Sequence, residues 1–420
     1  MDNPLGHTHM SGMAFDCDIA ISGGGLNGTA LALACAQAGL HVIIVDPHAT
    51  ETRAAPRFDG RSYALALTSK RLMEALGLWE ELAANAQPIL DITVTDGRAG
   101  EGPSPLFLHF DHAEIEEGPM GFMVEDRHLR PVLLDAVAGL DLTQQRSGVS
   151  VVDHGAVPGT VTVALSDGQT VTARLLVGAD GAKSATALRA GLKKVTFDYD
   201  QTALVCALAH ERPHEGHAHQ FFMPSGPLAI LPLSGDRSSV VWTESKPEAA
   251  RINSLPDAAY LDVLRPRFGD FLGDISLAGD RFTYPLFLSL AHEFVAERTA
   301  LLGDAAHRVH PIAGQGLNAG LKDVAALAEV LAEARRRGED IGELAVLKRY
   351  QQWRRFDAAA LAVATDGFNR LFSNDNGLLR LARDIGLGAV SAMPGLRRAF
   401  IREAAGLTGD VPKLMQGRPL

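Results

Sequence analysis

A glycine-rich turn near the N-terminus constrains the fold more than any other stretch of this sequence. An apolar run at residues 18–22 predicts a strand, and the next six residues spell Gly-Gly-Gly-Leu-Asn-Gly, which contains the pattern G-x-G-x-x-G. An alanine-rich segment at 29–39 predicts a helix, and an apolar run at 41–45 predicts a second strand that ends at Asp46. Asp46 lies 18 residues after the last glycine, close to the ~20 that are typical of the acid that binds an adenosine ribose.

This strand–turn–helix–strand order predicts a Rossmann-like dinucleotide-binding unit. The pyrophosphate of the ligand would lie over the N-terminus of the helix, where unpaired N–H groups and the helix dipole favour negative charge. The candidate binding residues of this unit are Gly23, Gly25, Leu26, Asn27, Gly28 and Asp46. The alternative is a glycine turn that joins two strands without binding a nucleotide.

A second candidate loop follows an apolar run at residues 299–302, which predicts another strand. Gly303 and Asp304 end that strand and place a carboxylate at its C-terminal edge. Asp304 could accept hydrogen bonds from a sugar or ribityl hydroxyl. An ordinary strand–turn–helix connection is the alternative.

The same loop continues into a glycine-rich helix start. Pro311 excludes a helix before it, and residues 314–316, Gly-Gln-Gly, leave backbone N–H groups without covering side chains. A helix is predicted over 317–327. Such a helix N-terminus suits a ligand that carries negative charge or hydroxyl groups.

A third loop has the same character. The strand predicted at 170–177 is followed by Asp180 and Gly181. Three glycine-bearing loops after strands favour convergence on one dinucleotide. Arg61, in an early loop, either reaches the pyrophosphate or is an ordinary solvated charge.

The remaining segments predict the fold class and domain organisation. A helix is predicted around 69–82 and an alternating strand over 89–95. Residues 192–286 consist of short alternating segments punctuated by Pro and Gly, which predicts an antiparallel sheet, and the chain after 327 is helical in pattern. We therefore predict an α/β protein with a Rossmann-like nucleotide-binding domain, an inserted antiparallel β-sheet domain and a helical C-terminal region.

Composition excludes several classes of function. The net charge of −11 argues against nucleic acid as a partner. The three cysteines lack metal-ligand spacing, and the histidines between 210 and 219 are interpreted as a polar turn, so we expect no metal site. We see no signal peptide and no apolar run near the ~20 residues that a membrane span needs. The expected location is cytoplasmic, or peripheral at the inner face of the membrane.

These motifs together resemble those of the class A flavoprotein monooxygenases with the p-hydroxybenzoate hydroxylase fold. More closely, the chain is similar to the ubiquinone-biosynthesis branch, the 2-octaprenyl-6-methoxyphenol hydroxylase family. The resemblance runs nearly end to end. Besides the first glycine motif, it rests on Asp59-Gly60-Arg61, on 124–127 (Val-Glu-Asp-Arg), on 178–181 (Gly-Ala-Asp-Gly), on 199–201 (Tyr-Asp-Gln), on 310–318 (His-Pro-Ile-Ala-Gly-Gln-Gly-Leu-Asn) and on 371–375 (Leu-Phe-Ser-Asn-Asp).

The resemblance implies a role for each motif in binding FAD. The first glycine motif and Asp46 would hold the AMP half, Arg61 would contact the pyrophosphate, and Asp304 would bind the ribityl chain. The isoalloxazine ring would be lined by Pro311, Gly314, Gln315, Gly316 and Leu317. Asp180 and Gly181 belong to a motif implicated in both FAD and NAD(P)H binding. Arg127, Gly303 and Asn318 complete the candidate set as members of the same motifs.

The sequence departs from the family pattern at two places. The arginine that usually ends the motif after Asp180 would fall at Ala187, and Arg189 comes two positions late. This departure weakens the prediction of a nicotinamide site. Asp46 stands where many flavoproteins carry glutamate, which is a chemically mild change.

The resemblance also implies the reaction and the domain boundaries. Reduced flavin would take up O2 as a C4a-hydroperoxide that hydroxylates the electron-rich ring of a polyprenylated phenol, with NAD(P)H as the expected reductant. No protein nucleophile is expected. The FAD-binding domain would comprise 15–86, 112–190 and 286–345, the substrate domain 87–111 and 191–285, and the helical region 346–420. Two alternatives are a flavin-dependent reductase of the same fold, such as a geranylgeranyl reductase, and a non-catalytic FAD-binding subunit of a biosynthetic complex.

The C-terminal part of the chain differs from the rest in charge. From residue 348 onward it has twelve basic and six acidic residues, a net charge of +6. Segments 378–383 and 396–402 place leucines or aromatics at helical spacing beside arginines, which is typical of a helix at a membrane interface. Such a face could equally bind a partner protein of a ubiquinone-biosynthesis complex, or the helices could pack on the FAD domain with their arginines solvated.

Overall fold

The computed structural model describes residues 15–58, 60–100, 102–372 and 393–420. Several residues of the sequence motifs lie outside the described residues: Asp59, Ser373, Asn374, Asp375 and the predicted amphipathic segment 378–383.

The described strands and helices are numbered in chain order. The strands are β1 Cys17–Ser22, β2 Val42–Asp46, β3 Ser62–Ala66, β4 Ala86–Ile89, β5 Asp91–Arg98, β6 Gly102–Asp111, β7 Gly121–Glu125, β8 Thr143–Ser147, β9 Val151–Val157, β10 Thr160–Leu165, β11 Thr170–Gly178, β12 Lys194–His210, β13 His217–Met223, β14 Gly226–Leu233, β15 Arg237–Ser245, β16 Ile275–Leu277, β17 Phe282–Ala291, β18 Val295–Ala296, β19 Thr299–Leu301 and β20 His307–Arg308. The helices are α1 Leu26–Gln37, α2 Thr50–Arg53, α3 Leu67–Ala75, α4 Trp79–Ala83, α5 Asp126–Ala138, α6 Ala185–Arg189, α7 Lys246–Asn253, α8 Asp257–Phe268, α9 Gln315–Arg336, α10 Leu344–Phe372 and α11 Pro394–Ala404.

The first glycine motif belongs to an eight-stranded sheet whose main order is β18-β19-β11-β1-β2-β8. The neighbours β19, β11, β1, β2 and β8 pair in parallel. β2, Val-Ile-Ile-Val-Asp, is buried along its whole length, as expected for a parallel strand covered on both faces. Because parallel strands end at the same edge of a sheet, the loops after β1, β11 and β19 lie side by side.

A nine-stranded sheet, ordered β20-β17-β12-β15-β14-β13-β5-β6 on its main path, forms the second layer. Most of its pairs are antiparallel: short turns join β13 to β14 and β14 to β15, and β12 pairs antiparallel with both β15 and β17. Trp242 of β15 packs with Tyr260 of α8 in a buried cluster that covers one face of this sheet. Strands β3, β7 and β4 form a third, small sheet.

Three details differ from the predicted elements. The helix predicted over 69–82 is two helices, α3 and α4, because Gly77 adopts φ +79° and its N–H bonds to Glu74 while Leu78 N–H bonds to Met73, which is a helix-ending motif. The strand predicted at 89–95 is likewise two strands, β4 and β5, in different sheets. The predicted boundary between the substrate domain and the last part of the FAD-binding domain, at 285/286, falls inside β17. The domain boundaries stay a prediction.

Helix α10 connects the two layers. At its start, the buried Tyr350 hydroxyl donates to the carbonyl of Leu301 at 2.8 Å, on β19. At its end, Phe372 stacks on Phe222 of the large sheet with ring centroids 4.0 Å apart. The region predicted as a separate helical unit from 346 therefore packs on both sheets. Among the described residues, no helix has both the length and the apolar character needed to cross a bilayer.

Candidate functional site

The structure brings the three predicted glycine loops together at one edge of the parallel sheet. The turn after β1 touches the loop after β11, since a Cβ placed on Gly23 would lie 2.5 Å from the Ala179 carbonyl oxygen. The loop after β19 touches α1, since a Cβ placed on Gly303 would lie 2.5 Å from Asn27 Nδ2. The convergence predicted from strand ends is therefore a property of the fold.

Within the first turn, the glycines have different physical roles. A Cβ on Gly28 would lie 2.0 Å from the carbonyl oxygen of Gly23, so this glycine allows the helix to pack on the turn. A Cβ on Gly25 would meet nothing within 4 Å, so open space lies above this residue. Helix α1 begins at Leu26, three residues earlier than predicted, and Gly25 provides no side-chain cap. The first N–H groups of α1 therefore face that open space without a capping partner.

The acid at the end of β2 is held in place by the glycine turn. Asp46 accepts a hydrogen bond from Gly24 N–H at 2.7 Å and one from His48 N–H at 2.8 Å. Arg53, at the end of α2, donates to the Gly24 carbonyl at 2.7 Å and lies 3.8 Å from Asp46. This position of Arg53 beside Asp46 is not predicted by any motif spacing.

Three carboxylates follow strand ends in this site: Asp46, Asp180 and Asp304. Of these, only Asp304 receives no hydrogen bond from a described residue. It follows β19 in a short 3-10 turn and is partly buried. Burial raises the pKa of Asp304 above its ordinary value, while the cations Arg308 and Lys194 act in the opposite direction. A carboxylate in this position can accept hydrogen bonds from hydroxyl groups of a ligand.

Asp323, on α9, has the opposite environment. It is fully buried and accepts hydrogen bonds from Gly303 N–H at 2.9 Å, His307 Nε2 at 2.6 Å and Arg354 Nε at 2.8 Å. Burial alone would raise the pKa of Asp323, but the facing His307 and Arg354 outweigh burial and the net pKa is lowered. This ion network fixes the loop that carries Asp304.

The predicted flavin loop runs between the two sheets. After Asp304 the chain forms β20, which pairs with β17 of the large sheet through Ser289 and Arg308. It then passes Pro311 and enters α9, which starts at Gln315, two residues before the prediction. Gly314 caps α9 with φ +63°, and a Cβ on Gly316 would meet nothing within 4 Å. The loop thus presents open backbone at the junction of the layers.

Asn318 ties this loop to the rest of the protein. Its Oδ1 accepts from Ala66 N–H at 2.9 Å and from the Ser69 hydroxyl at 2.7 Å, and its Nδ2 donates to the carbonyl of Ala64 at 2.8 Å. The side chain predicted to bind the cofactor is therefore engaged by β3 and α3. Leu317 packs against the main hydrophobic core.

Asn27 lies where α1 meets α9. A Cβ placed on Gly320 would lie 2.2 Å from its Nδ2, so the lack of a side chain at 320 makes room for Asn27. Its Oδ1 is buried and has no hydrogen-bond partner among the described residues. Asn27 thus brings the N-termini of two helices together beneath the site.

The third loop is closed by its own contacts. Asp180 accepts hydrogen bonds from the Ser184 hydroxyl at 2.5 Å and from Thr186 N–H and hydroxyl, both at 3.0 Å. Its carboxylate therefore shapes the start of α6, whereas a Cβ on Gly181 would meet nothing within 4 Å. Lys194, which no motif singled out, donates to the Ala182 carbonyl at 3.3 Å and acts electrostatically on both Asp180 and Asp304.

The two predicted arginines pair with acids at the start of α5. Arg61 lies 3.2 Å from Asp126, and Arg127 donates to Glu125 at 2.7 Å. Contact of either arginine with a pyrophosphate stays a prediction.

These features fit FAD in its chemistry. Two helix N-termini could bind phosphates and flavin oxygens, and the acid at the end of β2 could bind a ribose. Asp304, whose carboxylate has no hydrogen-bond partner among the described residues, could bind a polyol chain. Open space lies above Gly25, Gly181 and Gly316, on one loop each.

Known proteins share this chain's pattern over nearly its whole length. A family model described as an FAD binding domain matches residues 16–365. The chain is 46% identical over 406 residues to the ubiquinone hydroxylase UbiL of Rhodospirillum rubrum, covering 96% of this chain and 93% of that protein. It is 33% identical over 394 residues to the 3-demethoxyubiquinol 3-hydroxylase of Escherichia coli, covering 93% and 98%. The crystal structure of p-nitrophenol 4-monooxygenase PnpA from Pseudomonas putida shows the same fold, with a TM-score of 0.75 at 19% identity over 93% of this chain and 98% of that chain.

Proposed function

The chain belongs to the FAD-binding monooxygenases and, within them, to the ubiquinone-biosynthesis hydroxylases, and from this premise we propose that it hydroxylates the ring of a polyprenylated phenol. Its cofactor is FAD. Bound reduced FAD supplies the activation of O2, and we propose NAD(P)H as the electron source.

One observation carries the placement of the reaction. The segment after β19 leaves the parallel sheet, pairs with β17 of the large sheet as β20, and returns as α9. A ring held above Pro311 and Gly316 would therefore face the large sheet, which supports its assignment as the substrate domain. The protein would position the ring, keep water out and bind the cofactor through the loops described above.

We propose that some candidate residues contact FAD directly and that others fix the loops that bind it. Gly25 and the first turn of α1 would face the pyrophosphate, Asp46 the ribose, and Asp304 the ribityl hydroxyls. Asn318 and Asp323 would act indirectly by fixing the loop, because their side chains are engaged by the protein.

An in vitro turnover experiment tests this function. Purified protein with FAD is supplied with a short-chain prenylated phenol, NADH or NADPH, and ¹⁸O2. We expect reductant-dependent O2 uptake and a product heavier by one ¹⁸O atom. A flavin reductase would oxidise NAD(P)H without ring oxygenation, and a non-catalytic FAD subunit would do neither. Accumulation of a quinone precursor in a deletion strain would identify the ring position.

We also propose that the protein meets its lipid-like substrate at a membrane surface or through a partner of a ubiquinone-biosynthesis complex. The contacts of α11 favour the alternative in which this helix packs on the rest of the protein. Arg397 pairs with Glu114 at 3.0 Å and Arg402 with Glu117 at 2.6 Å, while Ile401 is buried. Two of the three arginines predicted to face lipid therefore hold α11 on the protein, because acids on the segment after β6 neutralise them.

The exposed apolar side chains of α11 are a better test of surface binding than its arginines. Leu396 is 39% and Phe400 is 40% exposed. We expect the double variant Leu396→Ser, Phe400→Ser to lose flotation with anionic liposomes that wild type shows. The matched control is Val157→Ser, which removes an apolar side chain that is 51% exposed on β9. Equal flotation of all three proteins would contradict a role of α11 at the membrane.

A further inference from the structure

Three polar side chains that the FAD contacts leave unused lie together where the flavin loop meets the large sheet. His310 is 0% exposed, and neither of its ring nitrogens has a hydrogen-bond partner among the described residues. The ring of Tyr199 lies against it, with centroids 5.2 Å apart and planes at 77°. Burial and the neighbouring Asp366 carboxylate raise the pKa of the Tyr199 hydroxyl, yet neither this hydroxyl nor Asp366 Oδ1 makes a hydrogen bond of regular geometry to a described residue.

Such a cluster is unusual in a folded protein. Buried polar atoms nearly always have partners, because an unsatisfied donor or acceptor has lost water without replacement. Three residues earlier, His307 follows this rule, since its Nε2 lies 2.6 Å from Asp323. The unsatisfied atoms of His310, Tyr199 and Asp366 therefore indicate a place where a ligand or bound water completes the hydrogen bonding.

Local backbone structure brings Tyr199 to this place. The pairing of β12 with β17 shifts register between Asp198 and Gln201, and Asp200 adopts φ +57°. A bulge of this kind redirects a side chain relative to the regular alternation of a strand. Gln201 then resumes the pairing and donates to the Ser225 carbonyl at 2.8 Å.

Helix α10 supplies the third member of the cluster. Asn369 donates to Gln201 Oε1 at 3.1 Å, so the last turns of α10 are fastened to the bulge. One turn earlier, the Asp366 carboxylate lies beside the Tyr199 hydroxyl, while its Oδ2 pairs with Arg370 at 2.9 Å. His310 comes from the opposite side, directly before Pro311 of the flavin loop.

The ionisation states define what the cluster can bind. Burial lowers the pKa of His310 to about 4, against the opposing effect of the Asp366 charge. Its imidazole is therefore neutral near pH 7 and offers one donor and one acceptor. Asp366 Oδ1 offers an acceptor. A hydroxyl group, which donates one hydrogen bond and accepts others, complements this set.

The lowered pKa makes His310 a weak base. A phenol has a pKa near 10, as the side chain of tyrosine does. An imidazole whose pKa is about 4 would hold such a proton only rarely. His310 is suited to orienting a hydroxyl group rather than to removing its proton.

We propose that His310, Tyr199 and Asp366 form the hydrogen-bonding site for a ring hydroxyl of the aromatic substrate and so set the orientation of the ring beside the flavin loop. This inference rests on the proposed function. Because His310 has no exposed surface, the Tyr199 ring would move aside when the ligand enters.

A matched pair of ligands isolates this interaction. One is a phenol with a single isoprenyl group ortho to its hydroxyl, and the other is the same hydrocarbon without the hydroxyl. Each is titrated into the oxidised FAD-loaded protein, and binding is followed by the change in flavin absorbance. For wild type we expect the phenol to bind about tenfold more tightly than the hydrocarbon, which is the contribution expected of a hydrogen bond between uncharged groups.

The variants assign the preference to residues. In His310→Phe the ratio of the two dissociation constants should fall to within about twofold of one, and His310→Gln should restore part of it. Tyr199→Phe removes one hydroxyl and should lower the ratio about threefold. Product formed per NAD(P)H consumed should fall in His310→Phe, because a misoriented ring leaves reducing equivalents uncoupled from hydroxylation.

His219→Phe is the matched control. His219 is a half-buried histidine whose pKa is likewise lowered by burial, to about 3, but its ring lies against Phe271, and its strand neighbour Phe221 belongs to the cluster of Trp242 and Tyr260. It therefore lies on the helix-covered face of the large sheet. We expect this variant to keep the wild-type ratio.

The outcomes are distinct for the two proposals. If wild type hydroxylates the phenol but His310→Phe keeps the wild-type ratio, the inference is overturned and the proposed function stands. If His310→Phe does not fold, an unchanged ratio in Tyr199→Phe overturns the inference in the same way. If wild type forms no hydroxylated product with either reductant, the proposed function itself has failed.

Discussion

Asp304 and Asp323 stand on one loop–helix unit, yet their carboxylates have opposite surroundings. Asp323 receives three hydrogen bonds, two of them from the side chains of His307 and Arg354, whereas Asp304 receives none from the described residues. Their pKa values respond accordingly, since burial raises that of Asp304 and the His307 and Arg354 neighbours lower that of Asp323 against burial. The carboxylate of Asp323, whose oxygens have hydrogen-bond partners in the protein, holds the backbone of the loop. The carboxylate of Asp304, whose oxygens have none among the described residues, is available to a ligand.

The difference shows how to separate structural from binding acids in this site. A carboxylate whose oxygens are fully engaged by the protein contributes to stability, and a buried one that is not engaged lowers it until a ligand arrives. By this criterion Asp180 belongs with Asp323, because its own loop occupies both oxygens.

The largest expected effect is the loss of stability on removing the carboxylate of Asp323. Asp323→Ala leaves Arg354 buried without its main partner, so we expect the free energy of unfolding to fall by about 3–5 kcal/mol. Urea denaturation of the apoprotein measures it. The control is Asp357→Ala, which removes the other, 36% exposed partner of Arg354 and should cost less than about 1 kcal/mol. Similar losses of unfolding free energy in both variants would contradict the proposal that Asp323 is the main partner of Arg354.

The next effect concerns ligand binding. Asp304→Ala removes the acceptor proposed for the ribityl hydroxyls, so the dissociation constant of FAD should rise by roughly 5- to 150-fold, the equivalent of ~1–3 kcal/mol. Quenching of FAD fluorescence measures it. The unfolding free energy of the apoprotein should not decrease. A loss of apoprotein stability comparable with that of Asp323→Ala would break the comparison.

A smaller effect is expected at Asp180. Asp180→Ala should lower stability by about 1 kcal/mol, because the carboxylate supports the start of α6 as a capping residue does. FAD affinity should change less than about threefold. Ser184→Ala, which removes the N-cap of α6, is the matched control with a similar stability loss. A large loss of FAD affinity in Asp180→Ala alone would place this carboxylate on the ligand after all.

The smallest effect is a difference in pH dependence. The raised pKa of Asp304 means that its charge costs stability above the folded-state pKa and that this cost vanishes below the unfolded value, near 4. The advantage of the Asp304→Ala apoprotein over wild type should therefore shrink as pH falls from 7 toward 4. The lowered pKa of Asp323 means that its contribution is fully present above the unfolded value and declines only below it. The deficit of Asp323→Ala should stay constant from pH 7 to about 5. Parallel pH profiles for the two variants would contradict both assignments.

The fold class, the family and FAD as cofactor were predicted from the sequence and are confirmed. Local patterns sufficed there, because glycines, strand ends and one terminal acid define a dinucleotide site at short range. The contacts of Arg53 with Gly24 and of Asn318 with Ala66 were not predictable, since they join residues far apart in the chain. The prediction of a single helix over 69–82 was wrong because the positive φ of Gly77 was not recognised as a helix end.

The central place of β1 has a consequence for how the molecule forms on the ribosome. Cys17–Ser22 is synthesised well before its sheet neighbour β11 and the next strand, β19, which end at residues 178 and 301. Closing such long loops is slow and favours delayed folding. The apolar edge of β1 must stay protected from aggregation until the chain through β19 has been made. Capture of FAD therefore has to wait for β19 and the loop that follows it, and the yellow colour of a fresh preparation reports chains that have completed this late closure.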